Sequence, residues 1–174
     1  MLFRSMPESF NSVTIDANLA VISGTLECQS MIIGDNAQLT VNVGGELTVN
    51  GTIEIGHNAS FIPMGTATYT TGKVDVYFDN AAQWYYFSIP VTTAKASVMG
   101  DLVANQLYER NTAGSAWSQI TDGNTDLVAG KGYAYRNAAG DFTATFTGTM
   151  ANGTVTPPVR SEEHTSELQS RQVI

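Results

Sequence analysis

The segment Ile33-Gly34-Asp35-Asn36-Ala37-Gln38-Leu39 recurs 22 residues later as Ile55-Gly56-His57-Asn58-Ala59-Ser60-Phe61. Between the two copies, Leu39-Thr40-Val41-Asn42 recurs as Leu47-Thr48-Val49-Asn50. A weaker copy at residues 13–21 precedes the first by 18 residues. Self-similarity at a spacing of about 20 to 50 residues is typical of stacked repeat architectures.

Within each copy, apolar and polar side chains alternate. Leu39 and Val41 share one face and Thr40 the other, and this period of two predicts half-buried strands. The pairs Gly44-Gly45 and Asn50-Gly51 lie between the alternating runs. Both pairs favour tight turns, because glycine adopts positive φ at little cost.

Two arrangements compete for residues 12–80. Asn50-Gly51 is a strong hairpin signal and favours an antiparallel meander. The 22-residue spacing is too long for one hairpin and suits one turn of a right-handed parallel coil, which we favour. Asn18, Asn36 and Asn58 recur at equivalent positions. They either stack or bond backbone groups at the corners of the coil, or are ordinary turn residues.

The composition limits the function classes. Gly, Thr, Asn and Ala are plentiful and charged residues make up 14% of the 174 residues, a mixture that suits strands and turns better than helices. The net charge of −8 and the lack of a basic patch argue against nucleic-acid binding. No apolar run reaches the length of a membrane span.

No catalytic group or cofactor site emerges from the residue pattern, and we expect no enzyme activity. Cys28, the sole cysteine, is predicted to be a buried apolar residue, and His57 a polar turn residue whose counterpart is Asp35. Zinc would need more His and Cys ligands, and no spacing singles out a carboxylate pair for glycoside hydrolysis. Scattered aspartates leave weak calcium binding open, although residues 122–126 favour Asx turns.

The second half, from residue 81 to 159, is predicted to form a small antiparallel β-sandwich. Alternating runs separated by Gly- and Asn-rich turns carry this prediction. Residues 84–91 suggest a central strand stopped by Pro90, and residues 92–105 are the one place where a short helix is expected. The other predicted strands are Leu107–Arg110, Trp117–Ile120, Tyr133–Arg136 and Phe142–Gly148.

Five aromatic residues are the candidate ligand-binding set, because aromatic faces offer broad apolar contact to a sugar ring. An exposed coplanar pair would favour sugar binding. The alternative is that alternate rings fill the sandwich core, since Trp84 and Tyr86 must face opposite to Tyr85 and Phe87. The candidate residues are Trp84, Tyr86, Tyr108, Trp117 and Tyr133.

An ordered set of short motifs runs through the second half. Its residues are Trp84, Ser88, Pro90, Val91, Leu107, Tyr108, Trp117, Gly130 to Tyr133, Phe146 to Gly148 and Asn152-Gly153. In this order they resemble a β-rich module of large secreted or surface proteins of Gram-negative bacteria that use type IX secretion. The resemblance covers about residues 12–157 and includes Leu-Thr-Val-x-Gly repeats like those in residues 31–55. It implies export and a role at the cell surface.

The two ends of the chain differ from the repeated and alternating segments between them. Residues 1–11 are expected to be a disordered or truncated segment, and they lack the apolar core of a signal peptide. Residues 160–170 resemble the in-frame translation of a widely used short-read sequencing adapter, so residues 160–174 are expected to be an artefactual tail. The natural protein is then expected to be longer.

These observations predict a non-catalytic structural or adhesive part of a secreted or cell-surface bacterial protein. The alternative is a carbohydrate-binding module attached to a larger secreted enzyme. The expected partners are surface polysaccharide or other surface proteins, with no nucleic acid and no membrane span.

Overall fold

The computed structural model describes residues 2–3, 10–79, 83–110, 116–138 and 140–151. Within them lie fifteen strands and one short 3₁₀ helix, Ala96–Met99. The strands of the first half are β1 (Leu2–Phe3), β2 (Phe10–Ile15), β3 (Ala20–Ile22), β4 (Thr25–Ile33), β5 (Gln38–Val41), β6 (Glu46–Ile55), β7 (Ser60–Pro63) and β8 (Thr66–Phe78). The strands of the second half are β9 (Trp84–Phe87), β10 (Thr93–Lys95), β11 (Gln106–Arg110), β12 (Trp117–Ile120), β13 (Asp126–Val128), β14 (Tyr133–Arg136) and β15 (Phe142–Gly148).

The first half winds as a parallel β-solenoid, which confirms the coil and excludes the meander. Successive strands alternate between two sheets, one in the order β1-β3-β5-β7 and the other containing β2-β4-β6-β8. All these pairings are parallel. Ile33 and Ile55, equivalent residues of the two sequence copies, are direct partners across β4 and β6.

The core of the solenoid is a column of aliphatic side chains between its two sheets. Ile33, Leu39 and Val41 are fully buried, and Leu47 and Ile53 continue the column on the next coil. Each repeated apolar position therefore packs on its equivalent one coil away. Cys28 lies in this column and is also buried, as predicted.

The corners of the coils use left-handed backbone. Asn36 and Asn58 have φ angles of 61° and 54°, and Gly44 has 82°, conformations that asparagine and glycine adopt more readily than other residues. The repeated asparagines at 36 and 58 are thereby explained as turn residues. The neighbouring carboxylate joins the coils, because Asp35 Oδ1 accepts a hydrogen bond from the backbone N–H of His57 at 2.8 Å.

The turn predicted at Asn50-Gly51 is wrong. Both residues lie inside β6, where the register with each neighbouring strand shifts, between Cys28 and Met31 on one side. A Cβ on Gly51 would lie 2.6 Å from the carbonyl oxygen of Gln29. Glycine is therefore present to let two backbones approach closely at a bulge, a use that the sequence pattern alone does not distinguish from a turn.

In the segment 1–11, which is expected to be disordered or truncated, the described residues belong to two strands. Leu2–Phe3 form β1, which pairs in parallel with β3, and β2 already begins at Phe10. Residues 4–9 lie outside the described residues, as does the proposed adapter-derived segment 160–174.

The expected boundary near residue 80 falls just after a strand that both halves share. The first part of β8 pairs in parallel with β6 from Thr66 to Val74. Its last seven residues, Gly72–Phe78, pair antiparallel with β15. Val74 packs against the solenoid core, whereas Phe78 is buried in the second core, so β8 physically connects the two.

The second half is built from antiparallel sheets around that second core. One sheet has the order β12-β11-β14-β9 and a ribbon pairs β10 with β13. The inner face of the sheet packs on Phe78, whose ring centroid lies 5.2 Å from that of Tyr85 and 4.8 Å from that of Tyr135. The 3₁₀ helix adjoins this core, because the Tyr135 hydroxyl donates to the Met99 carbonyl at 3.3 Å, and it occupies the range where a short helix was expected.

Strand β9 lies at the edge of its sheet among the described residues, so the prediction of a central strand is wrong. Its pattern misleads because both of its faces carry aromatic side chains. The inner face packs on the core, and the outer face is exposed.

Tyr135, one of two buried tyrosines of β14, predicts a loss of stability at alkaline pH. Burial raises the pKa of Tyr135 to about 12 from 10.0. The phenol of Tyr135 ionises at a lower pH in the unfolded chain than in the folded one. The free energy of unfolding therefore keeps its full value below pH 10 and decreases as the pH rises toward 12, by about 2–3 kcal/mol in all. Urea denaturation at pH 9 and pH 11.5 should show this decrease. The Tyr135→Phe variant should show a smaller one, and equal decreases would contradict the prediction.

Candidate functional site

The exposed face of the four-stranded sheet carries the aromatic side chains that the sequence singled out. Alternation along β9 places Trp84 and Tyr86 outward, with 42% and 73% of their surfaces exposed. Tyr85 and Phe87 point inward and pack against the second core. The expectation that the two pairs face opposite sides, with at least one of them in the core, is therefore confirmed.

Four rings surround one small side chain and form what we call the aromatic groove: Trp84, Tyr86, Tyr108 and Trp117 around Ala134. Register explains the arrangement, because Ala134 of β14 is the direct partner of Tyr86 on one side and of Tyr108 on the other. Ala134 leaves room between these larger neighbours, so a groove of about 230 Å³ opens above it. This volume lies below the range of about 300–1,000 Å³ that is usual for drug-sized ligands.

The rings of the groove contact one another at steep angles. Trp84 and Tyr108 have centroids 5.6 Å apart with 65° between their planes. Tyr86 and Trp117 are 5.8 Å apart at 45°, although their strands are three spacings, about 14 Å, from each other. No coplanar pair is present in the groove, so it offers tilted walls to a single ring-sized group and not a flat platform.

Polar side chains border the groove on the same face of the sheet. Arg110 is the cross-strand partner of Trp117, and its guanidinium carbon lies 5.8 Å from the centroid of the indole. Arg136 is the partner of Trp84 and donates a hydrogen bond to the Gln106 amide oxygen at 3.3 Å. Neither arginine was among the candidate residues, yet the alternation that places Trp84 and Tyr86 on this face also places positions 110 and 136 there.

Tyr133, the fifth candidate residue, is not part of the groove. It is fully buried on the opposite face of β14, and its hydroxyl accepts a hydrogen bond from the backbone N–H of Val128 at 2.8 Å. Burial raises the pKa of its phenol. The inward orientation of Tyr133 could have been predicted from the sequence. Arg136 is expected on the outer face, and alternation then places Ala134 outward and Tyr133 inward.

Cys28 and His57, the other two residues considered for chemistry, have the surroundings of structural residues. Burial, with a smaller effect from Glu27, raises the pKa of the Cys28 thiol, which keeps it protonated at neutral pH. His57 lies in a turn as expected, and its ring contacts the Tyr77 ring edge-on at a centroid distance of 5.0 Å.

The acidic loop at residues 122–126 forms the expected Asx turn. The carboxylate Oδ1 of Asp122 accepts the backbone N–H of Asn124 at 2.9 Å, and Asp126 forms an ion pair with Lys95 at 2.7 Å. In the described part of the chain, no three His, Cys, Asp or Glu side chains are grouped to hold a metal ion. No helix in that part is long and apolar enough to cross a membrane.

Comparison with known proteins gives one result. A family model described as a domain of unknown function (DUF8693) matches residues 3–173, a range that spans both cores and includes residues 160–173. No curated protein and no solved structure matches the chain.

Proposed function

The chain belongs to the DUF8693 family, a domain of unknown function, and from its own geometry we propose that it is a non-catalytic adhesive module. In this proposal the solenoid is a rigid spacer, and the aromatic groove binds polysaccharide at a cell surface. The observation that carries the proposal is the groove itself, with four aromatic side chains on one open sheet face.

The chemistry of the groove supports a sugar ring as its ligand. The C–H faces of a pyranose are apolar and its rim is hydroxylated, so it matches aromatic walls bordered by amides. Trp84, Tyr86 and Trp117 each have more than a third of their surface exposed, although they are large side chains that a sandwich would otherwise bury. Since the walls are tilted toward each other, the groove suits one or two sugar units and not a long flat segment.

The context that we propose is a secreted or cell-surface bacterial protein, following the resemblance to modules of type IX secretion proteins. The alternative is a carbohydrate-binding module of a larger secreted enzyme, and the same groove would serve it. The complete gene separates the two, because an attached catalytic domain would favour the enzyme and a sorting domain the adhesin.

The proposed function predicts retention of the chain on a glycan array through the groove. The Trp84→Ala and Tyr86→Ala variants should each weaken binding about tenfold or more, as loss of a central aromatic contact usually does. Val103→Ala is the matched control, since Val103 is 91% exposed and does not line the groove. Both tryptophans of the chain line the groove, so intrinsic fluorescence reports binding at this site directly.

The opposite results would overturn the proposed function. If the parent chain is retained by no glycan and its fluorescence responds to none, the groove does not bind sugars. If Trp84→Ala and Val103→Ala reduce retention equally, binding takes place elsewhere on the chain.

A further inference from the structure

The charge distribution around the groove points to an acidic ligand. We propose that the aromatic groove binds a sugar ring that carries a carboxylate, a hexuronate unit, with Arg110 recognising the acid group. This inference rests on the proposed function, because it names the class of sugar that the same groove would take.

Among the described residues, the strand positions on the exposed face of this sheet include no acidic side chain, although the chain has sixteen. Register and alternation place nine side chains of β9, β14, β11 and β12 on this face. Five of them form the groove, and the other four are Gln106, Arg110, Gln119 and Arg136. In a chain of net charge −8, the cation Arg110 on a face whose described strand positions carry no anion is a local reversal of charge, which favours an anionic ligand.

The described lysines are neutralised elsewhere, which sets Arg110 apart. Lys73 pairs with Glu54, Lys95 with Asp126 and Lys131 with Glu109, all within 3.1 Å. By contrast, Arg110 forms no ion pair with a carboxylate of the described residues. The positive charge at the Trp117 side of the groove is therefore not compensated by an acid in that part of the chain.

The position of Arg110 is suited to a carboxylate on a sugar ring. Its guanidinium lies beside the indole of Trp117, which restrains the side chain while its N–H groups stay available at the edge of the groove. A guanidinium presents parallel N–H donors that match the two oxygens of a carboxylate. A ring held between the aromatic walls would bring an equatorial acid group to that edge.

Nucleic acid is the competing anionic ligand, because exposed aromatic rings and arginines also bind single strands. The overall charge disfavours it. A phosphate backbone extends well past the groove and meets the field of a chain of net charge −8, whereas one carboxylate interacts with its nearest cations within a Debye length of about 10 Å.

The test is a fluorescence titration with a matched pair of probes, methyl β-glucuronide and methyl β-glucoside. The parent chain should bind the glucuronide at least about tenfold more tightly. Arg110→Gln should abolish this preference by weakening the binding of the glucuronide far more than that of the glucoside. Lys73→Gln is the control, since it removes the same charge from a solenoid strand, and it should preserve the preference.

The outcomes separate the inference from the function that it rests on. Equal affinity of the parent chain for the two sugars would overturn the carboxylate preference and leave sugar binding intact. A preference that survives Arg110→Gln would overturn the role of Arg110. No response to either probe or to longer oligosaccharides would overturn both proposals. Tighter binding of an oligo-dT strand than of the glucuronide, abolished by Arg110→Gln, would overturn the sugar ligand in favour of nucleic acid.

Discussion

A Phe78→Ala variant is expected to be less stable to unfolding than the parent chain by about 3–5 kcal/mol, the usual cost of deleting a buried phenylalanine. Phe78 ends β8 and has 2% of its surface exposed. Its ring lies 4.8 to 5.6 Å from the rings of Tyr85, Phe87 and Tyr135. Because β8 joins the two cores, the loss should lower the stability of both halves.

Urea denaturation followed by two signals measures this effect. Tryptophan fluorescence reports on the second half, where both tryptophans lie, and far-ultraviolet circular dichroism reports on all strands. The two curves should coincide and shift together to lower urea. Tyr77→Ala is the control, because Tyr77 precedes Phe78 on the opposite face of β8 and contacts His57. A cost for Tyr77→Ala equal to that for Phe78→Ala would contradict the assigned role of Phe78.

A Gly65→Ala variant is expected to disrupt the last corner of the solenoid. A Cβ at this position would lie 2.3 Å from the carbonyl oxygens of both Asn42 and Gly45. These are backbone atoms fixed by the neighbouring coil, so the added methyl group forces the coils apart. We expect a cost of about 3 kcal/mol or more, at the upper end of overpacking penalties.

Thermal denaturation compares this variant with Gly132→Ala. A methyl group added at Gly132 would meet no heavy atom within 4 Å, and the residue has no positive φ, so its replacement should change the melting temperature little. An unchanged melting temperature for Gly65→Ala would show that the corner can relax, and would contradict the close approach of the two coils.

The solenoid was predictable because its signal is local and repeated. Equivalent residues such as Ile33 and Ile55 must pack on each other once the chain coils, and they do. The role of Asn50-Gly51 was not predictable, since a glycine required by a carbonyl oxygen of the adjacent coil looks the same in sequence as a glycine required by a turn. Nothing in the sequence indicated that β8 belongs to both halves, because its antiparallel partner β15 lies some seventy residues away in the chain.

The candidate site was partly predictable for the same reason. The alternation of Trp84 and Tyr86 indicates which aromatic residues share a face, but nothing local indicates which face is exposed. The inward side of Tyr133 could have been assigned from its alternation with Arg136, whereas the neighbours of β14 across the sheet follow only from its register with two other strands. The arginines became visible only when that register placed positions 110 and 136 beside the rings.

The shared strand β8 fixes the distance between the last coil of the solenoid and the groove. Since β8 runs unbroken from the last coil into the core on which the groove-bearing sheet packs, a relative with one more coil would carry its groove farther along the stack by a single strand spacing, about 4.8 Å. The distance between the groove and the first coil would then vary among relatives in increments of one coil.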